Sequence, residues 1–310
     1  MAGRQKSARV GLRLVFIAGC LAVAAALAQS VAAMAAPKLM DWPDLLGRPL
    51  PAATEHFSYG PDPLQTADLW LPAGKGPFPV VVMVHGGCWL SDIAKLTIMN
   101  YAAEDLRRRG VAVWNIEYRG VDRPGGGYPG TFQDVAAATD MLAKVAPAHH
   151  LKLDRVVAVG HSAGGHFVLW LAARGRIPAG SALKTAHPLP IAGVVSLGGL
   201  PDLARDHRED LCGARAVAKL VGAPSASHPN IYADTSPAEL GVGHEEAVQI
   251  NGAEDPLAYP ALAEGYAAKL RGARIRQIVV ADTGHVELIS PGTAAWTRAV
   301  EEIDAFLHSR

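Results

Sequence analysis

A chain of 310 residues with 50% hydrophobic and 19% charged residues suits one large globular domain, at most carrying a small lid. Lys+Arg and Asp+Glu balance at 29 each, and no basic run or patch offers a surface to nucleic acid.

The amino terminus reads as a secretory signal peptide spanning residues 1–36. Arg4, Lys6, Arg9 and Arg13 form a basic region, residues 14–28 an apolar one, and Ala33-Met34-Ala35 a small-residue cleavage site. Cleavage is expected after Ala35 or Ala36, with export to the periplasm or beyond. Ile17-Ala18-Gly19-Cys20 resembles a lipobox, so a lipid on Cys20 is the lesser alternative; apolar residues continue well past that cysteine. The apolar run is short for a membrane span, and no later stretch is long or apolar enough. Losing residues 1–36 removes four basic and no acidic side chains, which leaves 25 Lys+Arg against 29 Asp+Glu. Cys88 and Cys212 remain. They are expected as two unpaired thiols, since a bridge at Cys88 would constrain the loop in which it lies.

Residues 37–57 read as an irregular, proline-containing arm. Residues 66–71 alternate polar and apolar up to Pro72, as an outer strand does. After a turn at 74–79, residues 80–84 are continuously apolar, as in a strand buried on both faces. A helix is predicted over 98–109, stopped by Gly110, then a strand over 111–118 and a flexible glycine-rich loop over 120–130. Residues 131–145 read as a helix with Thr131 as N-cap and Pro147 beyond its end. The strand 156–159 precedes an apolar helical stretch at 167–173, and another strand covers 191–197. Residues 200–245 break the rhythm with polar residues and scattered Pro and Gly. A strand at 248–251, a helix at 259–270, a strand at 275–280 and a helix at 293–307 restore it. Strands alternating with helices imply a mostly parallel sheet with helices on both faces.

Between the strand at 156–159 and the next helix stands Gly160-His161-Ser162-Ala163-Gly164, a G-x-S-x-G frame in strand–turn–helix context. The glycines are needed because a sharp turn leaves no room for side chains, and the helix start aims unpaired N–H groups near Ser162. A serine nucleophile needs a base, and the base needs an orienting carboxylate. Functional groups gather at the carboxyl ends of strands in such sheets. His285 follows the strand at 275–280 and is the candidate base. Asp255 follows the strand at 248–251 and is the candidate acid, with Glu254 as neighbouring rival and Asp282 as a further one. The remaining requirement is a set of donors for an oxyanion. The N–H of Ala163 and the loop His85-Gly86-Gly87-Cys88-Trp89, directly after the strand at 80–84, are placed to supply them.

Together, the loop 84–89, the Gly-His-Ser-Ala-Gly-Gly-His elbow, Asn251-Gly252-Ala253-Glu254-Asp255 and Gly284-His285 resemble the α/β-hydrolase superfamily. Within it they are similar to the esterase/lipase branch, with its hormone-sensitive-lipase-like carboxylesterases and arylformamidases. The resemblance runs from about residue 60 to the C-terminus. It implies an α/β-hydrolase fold over residues 37–310, a lid or pocket insertion at 200–245, and oxyanion N–H groups from Gly87, Cys88 and Ala163. It also makes His85, His161 and His166 supporting residues. The lipase-like group more often has a third glycine where this chain has Cys88, which keeps the N–H.

The expected activity is cleavage of carboxylic esters through an acyl-enzyme, without cofactor, on a small-molecule ester or amide substrate. An arylformamidase-like amidase using the same residues is the alternative, and a catalytically silent binding protein is the reading from another class. No metal is expected: His149-His150 lacks acidic partners at ligand spacing and H-E-x-x-H is missing. Gly125-Gly126-Gly127 lacks the Lys-Ser/Thr of a phosphate loop.

Overall fold

The computed structural model describes residues 38–213, 215–241 and 246–309. The signal peptide, its cleavage site and Cys20 lie outside the described residues. The arm is less irregular than its sequence implies. Asp41 caps a short helix α1 (Trp42–Leu46) by accepting from Asp44 N–H, and Asp44 returns a bond to Asp41 N–H. Strand β1 (Glu55–Ser58) then forms the sheet edge. The expected outer strand, β2 (Thr66–Trp70), is therefore second from the edge.

Strand β3 (Phe78–Val84), helix α2 (Asn100–Arg108) and strand β4 (Ala112–Ile116) follow. Helix α3 spans Gly130–Val145, β5 Leu151–His161, α4 Ala163–Ala173 and β6 Gly193–Leu197. The region 200–245 contains three short helices, α5 (Leu203–Arg208), α6 (Ala216–Val221) and α7 (Pro237–Leu240). Strand β7 (Glu246–Gly252), helix α8 (Pro260–Lys269), strand β8 (Ile275–Val280) and helix α9 (Ala294–His308) complete the chain.

The eight strands lie in the order β1-β2-β4-β3-β5-β6-β7-β8. The β1–β2 and β2–β4 pairs are antiparallel and the rest parallel, so the mostly parallel sheet is as expected. Strand period two divides the apolar runs between two cores. Val80, Val82, Val84, Trp114 and Ala158 pack on one face with residues of α3 and α4. Val81, Met83, Val113, Val159, Val195 and Ile250 pack on the other with α2 and α9. Each fully buried aliphatic side chain here contributes roughly 1.5–3 kcal/mol, which is why the central strands read as unbroken apolar runs.

Two local expectations change. Thr131 is not the N-cap of α3 but lies inside it. Its hydroxyl donates to Arg119 O (2.7 Å) and accepts from Gly127 N–H (2.8 Å), tying the glycine-rich loop to the helix. That loop is close-packed rather than flexible: a Cβ on Gly126 would sit 1.9 Å from Gly120 O, and one on Gly130 1.7 Å from Gly125 O.

Helix α4 is pinned at its far end by Arg174. The fully buried guanidinium donates to both oxygens of Asp140 on α3, at 2.6 and 2.8 Å, and Asp140 also accepts from Leu189 N–H. Removing the carboxylate strands a buried cation. Asp140→Ala is expected to cost about 3 kcal/mol of unfolding free energy in urea titration.

Candidate active site

Ser162 sits between β5 and α4 with φ 54° and ψ −120°, a conformation that L-residues rarely hold. The surrounding glycines make it possible. A Cβ on Gly160 would lie 2.2 Å from Gly164 O, and one on Gly164 2.1 Å from Val84 O. A Cβ on Gly165 would meet Gly199 Cα at 2.6 Å. The elbow is thus wedged between β3 and the chain after β6, and Ser162 N–H donates to Leu197 O at 2.9 Å.

The loop after β3 closes over this turn. A Cβ on Gly86 would lie 2.9 Å from both Ser162 Cβ and His161 O. Gly87 (φ 107°), Cys88 (φ 53°) and Trp89 (φ 58°) follow in positive-φ conformations. The N–H groups of Gly87, Cys88 and Ala163 have no acceptor among the described residues. These are the three donors singled out in the sequence, and the fold gathers them around the same turn.

His285 and Asp255 come together as expected. His285 Nδ1–H donates to Asp255 Oδ2 at 2.6 Å, and Asp255 Oδ1 accepts from the N–H groups of Leu257 and Ala258. Burial works against the Asp255 charge. The hydrogen bond and attraction of His285, with the two backbone donors, outweigh it and hold the carboxyl below its usual range. Glu254 and Asp282 are exposed and do not pair with His285. Among the described residues no hydrogen bond reaches His285 Nε2 or Ser162 Oγ. His285 reaches the elbow through His161: the two rings lie 4.3 Å apart, and His161 Nε2–H donates to His285 O at 3.1 Å.

The three other histidines of the motifs are buried supports. His85 pairs with Glu117 (2.7 Å) and stacks on Tyr118. Burial depresses the basicity of His161 well below the usual range, and the neighbouring His285 adds to this. His166 accepts from Trp89 Nε1–H at 3.3 Å and donates to Thr235 O at 2.9 Å, and burial lowers its pKa to about 4.

The expectation of free thiols is wrong. Cys88 and Cys212 form a disulfide with Cα atoms 5.6 Å apart, joining the loop after β3 to the insertion. Spacing in the sequence, 124 residues, carried no sign of that proximity. The arm was legible in the sequence, but its contacts with the site were not. Leu39 packs on Gly284, Met40 N–H donates to Glu287, and the Trp42 ring lies 6.1 Å from that of His161. Glu117, a carboxylate directly after the fully buried strand β4, is a signal the sequence does carry.

A cavity of about 560 Å³ lies beside the insertion, lined by Tyr128, Ser181, Val221, His228 and Asp234 among others; Ser162, Asp255 and His285 do not line it. Among the described residues no His/Cys/Asp/Glu group is arranged to hold a metal, and no helix is long and apolar enough to cross a membrane.

The BD-FAE family profile matches residues 67–266, most of the chain. The chain belongs to the BD-FAE family. It accordingly has the α/β-hydrolase fold and falls in the esterase branch of that superfamily. Esterase B of Lactobacillus rhamnosis shares its fold at TM-score 0.68 and 20% identity, over 94% of this chain and 93% of that one. A propionate-bound esterase of Thermogutta terrifontis matches at TM-score 0.64 and 18% identity, over 84% and 96%. A probable isoprenylcysteine alpha-carbonyl methylesterase of Arabidopsis thaliana is 29% identical over 117 residues. This BD-FAE chain spans 24% of that relative, and 35% of a bifunctional GH43-CE protein of Bacteroides eggerthii that it matches in fold.

Neutral burial of His166 has a pH signature. Its folded pKa lies below the unfolded value of about 6.5, so the unfolded chain binds more protons between the two. Stability is full above pH 6.5 and falls as pH drops towards 4, by about 3 kcal/mol from this residue. Urea unfolding from pH 7 to 4.5 measures the slope. His166→Gln, which keeps an N–H for Thr235 O, is expected to flatten it.

Proposed function

We propose that this enzyme hydrolyses carboxylic esters by a Ser-His-Asp acyl-enzyme mechanism. The observation that carries the reading is the buried Asp255–His285 hydrogen bond, whose imidazole packs against the residue preceding the elbow serine. Ser162 Oγ attacks the ester carbonyl, and His285 Nε2 takes its proton. Asp255 fixes the tautomer that leaves Nε2 unprotonated, and it stabilises the imidazolium that forms. The N–H groups of Gly87, Cys88 and Ala163 receive the oxyanion. His285 then protonates the departing alcohol, and a water activated by the same imidazole releases the acid.

Short acyl groups are the proposed substrates. Support comes from two fold relatives: the Thermogutta esterase was solved with propionate bound, and the Lactobacillus esterase was inhibited by a tributyrin phosphonate. We also propose export, guided by residues 1–36. A disulfide at Cys88–Cys212 fits an oxidising compartment.

Ser162→Ala is expected to lower kcat on p-nitrophenyl acetate by about 10⁴-fold or more. Asp255→Asn should lower kcat by about 10²–10⁴-fold with little change in KM, since it favours the wrong tautomer. Turnover retained in a folded Ser162→Ala protein overturns the assignment. A panel with longer acyl esters, an acetylated sugar and an aryl formamide tests the acyl preference; fastest turnover of the formamide replaces ester cleavage with amide cleavage.

A further inference from the structure

We infer that the Cys88–Cys212 bridge holds the oxyanion-hole loop in its active conformation, which makes Cys212 a positioning residue for the reaction. The inference rests on the reading of Cys88 N–H as an oxyanion donor. Three consecutive residues, Gly87, Cys88 and Trp89, have positive φ, and only the first is a glycine. Non-glycine residues stay in that region only where their surroundings over-determine it.

The surroundings of Trp89 are clear. Its ring is fully buried, its Nε1–H donates to His166, and its carbonyl accepts from Val121 N–H at 2.8 Å. Cys88 has no such packing. It is only half-buried, and its side chain is held by the bond to Cys212. Cys212 has φ 71° itself and stands in a turn with Asp210, Gly213 and Arg215, all at positive φ. The turn is anchored by Leu211 N–H donating to Asp206 O at the end of α5. The insertion thus grips the oxyanion loop at two adjacent residues: covalently at Cys88, and through Thr235 O and His166 at Trp89.

Without the bridge, Cys88 can relax towards negative φ, which rotates the peptide carrying its N–H. The consequence falls on the transition state, where the oxyanion exists, more than on substrate binding. Cys212→Ser and Cys88→Ser/Cys212→Ser are expected to lower kcat on p-nitrophenyl acetate at least about tenfold, with KM within about twofold. Cys88→Gly/Cys212→Ser is expected to recover most of that loss, because glycine holds positive φ without a side-chain penalty.

A role confined to stability predicts no recovery, since the glycine variant also lacks the bridge. Treating the folded wild-type protein with a water-soluble phosphine gives a second route. The phosphine is oxidised to its oxide as the S–S bond becomes two thiols, one water supplying the oxygen and both protons, and kcat should fall while the circular dichroism spectrum is kept. Ser162→Ala is the control. If it retains activity, the proposed mechanism fails. If it is inactive while Cys212→Ser keeps wild-type kcat, or glycine restores nothing, the positioning role of the bridge fails.

Discussion

Three close backbone approaches meet at Ser162. Gly160 lies against Gly164 O, Gly164 against Val84 O, and Gly165 against Gly199 Cα, each nearer than any side chain allows. Between them the serine is held at φ 54°, at a cost of about 1–3 kcal/mol that the packed sheet offsets. One strained residue accomplishes two things together. It starts α4 with an N–H that no carbonyl takes among the described residues, and it leaves His161 facing the loop of His285. The rest of the site is organised around that turn.

Parallel strands explain why the partners gather there. β3, β5, β6, β7 and β8 run in one direction, so the segments that follow them emerge on one edge: the 85–90 loop, the elbow, Gly198-Gly199, Asp255 and His285. Four histidines lie at this edge, and their surroundings separate their roles. His85 has both ring nitrogens facing oxygen acceptors, Gly86 O and Glu117. His166 has both committed to Trp89 and Thr235, and His161 is buried with its Nε2 on His285 O. Only His285 combines a carboxylate on one nitrogen with a second nitrogen free of protein partners among the described residues. A base must be oriented and still available, and at this edge that description fits one ring.

Most of this was legible from local pattern. Continuous apolar runs marked β3, β5 and β6, and catalytic-type residues stood directly after strands, where side chains leave the core. Asp255 was separable from Glu254 only by guess in the sequence; the structure separates them because Asp255 turns inward to two backbone N–H groups and Glu254 turns to solvent. What could not be read depends on distant segments. The disulfide joins residues 124 apart across a region without periodicity. Helices α5 and α6 are only six residues each, too short for a hydrophobic period to register. The arm's hold on Gly284 and Glu287 is likewise invisible, since Leu39 and Met40 carry no motif.

The insertion and the elbow helix also share their anchors. Asp234 is buried and accepts from Tyr128, Ser181 and His228, while its carbonyl takes Trp170 Nε1–H from α4. One residue on, Thr235 O takes the proton of His166 on the same helix. The cavity beside the insertion is therefore walled by residues tied to α4, the helix that begins at Ser162. A substitution at an exposed lining residue with no polar side chain in this network, such as Ala223, leaves those ties intact. Substitutions at Asp234 do not, because losing the carboxylate frees three donors and loosens the segment that holds His166. The carboxylate at position 234 thus couples the wall of this cavity to the helix that begins at the elbow.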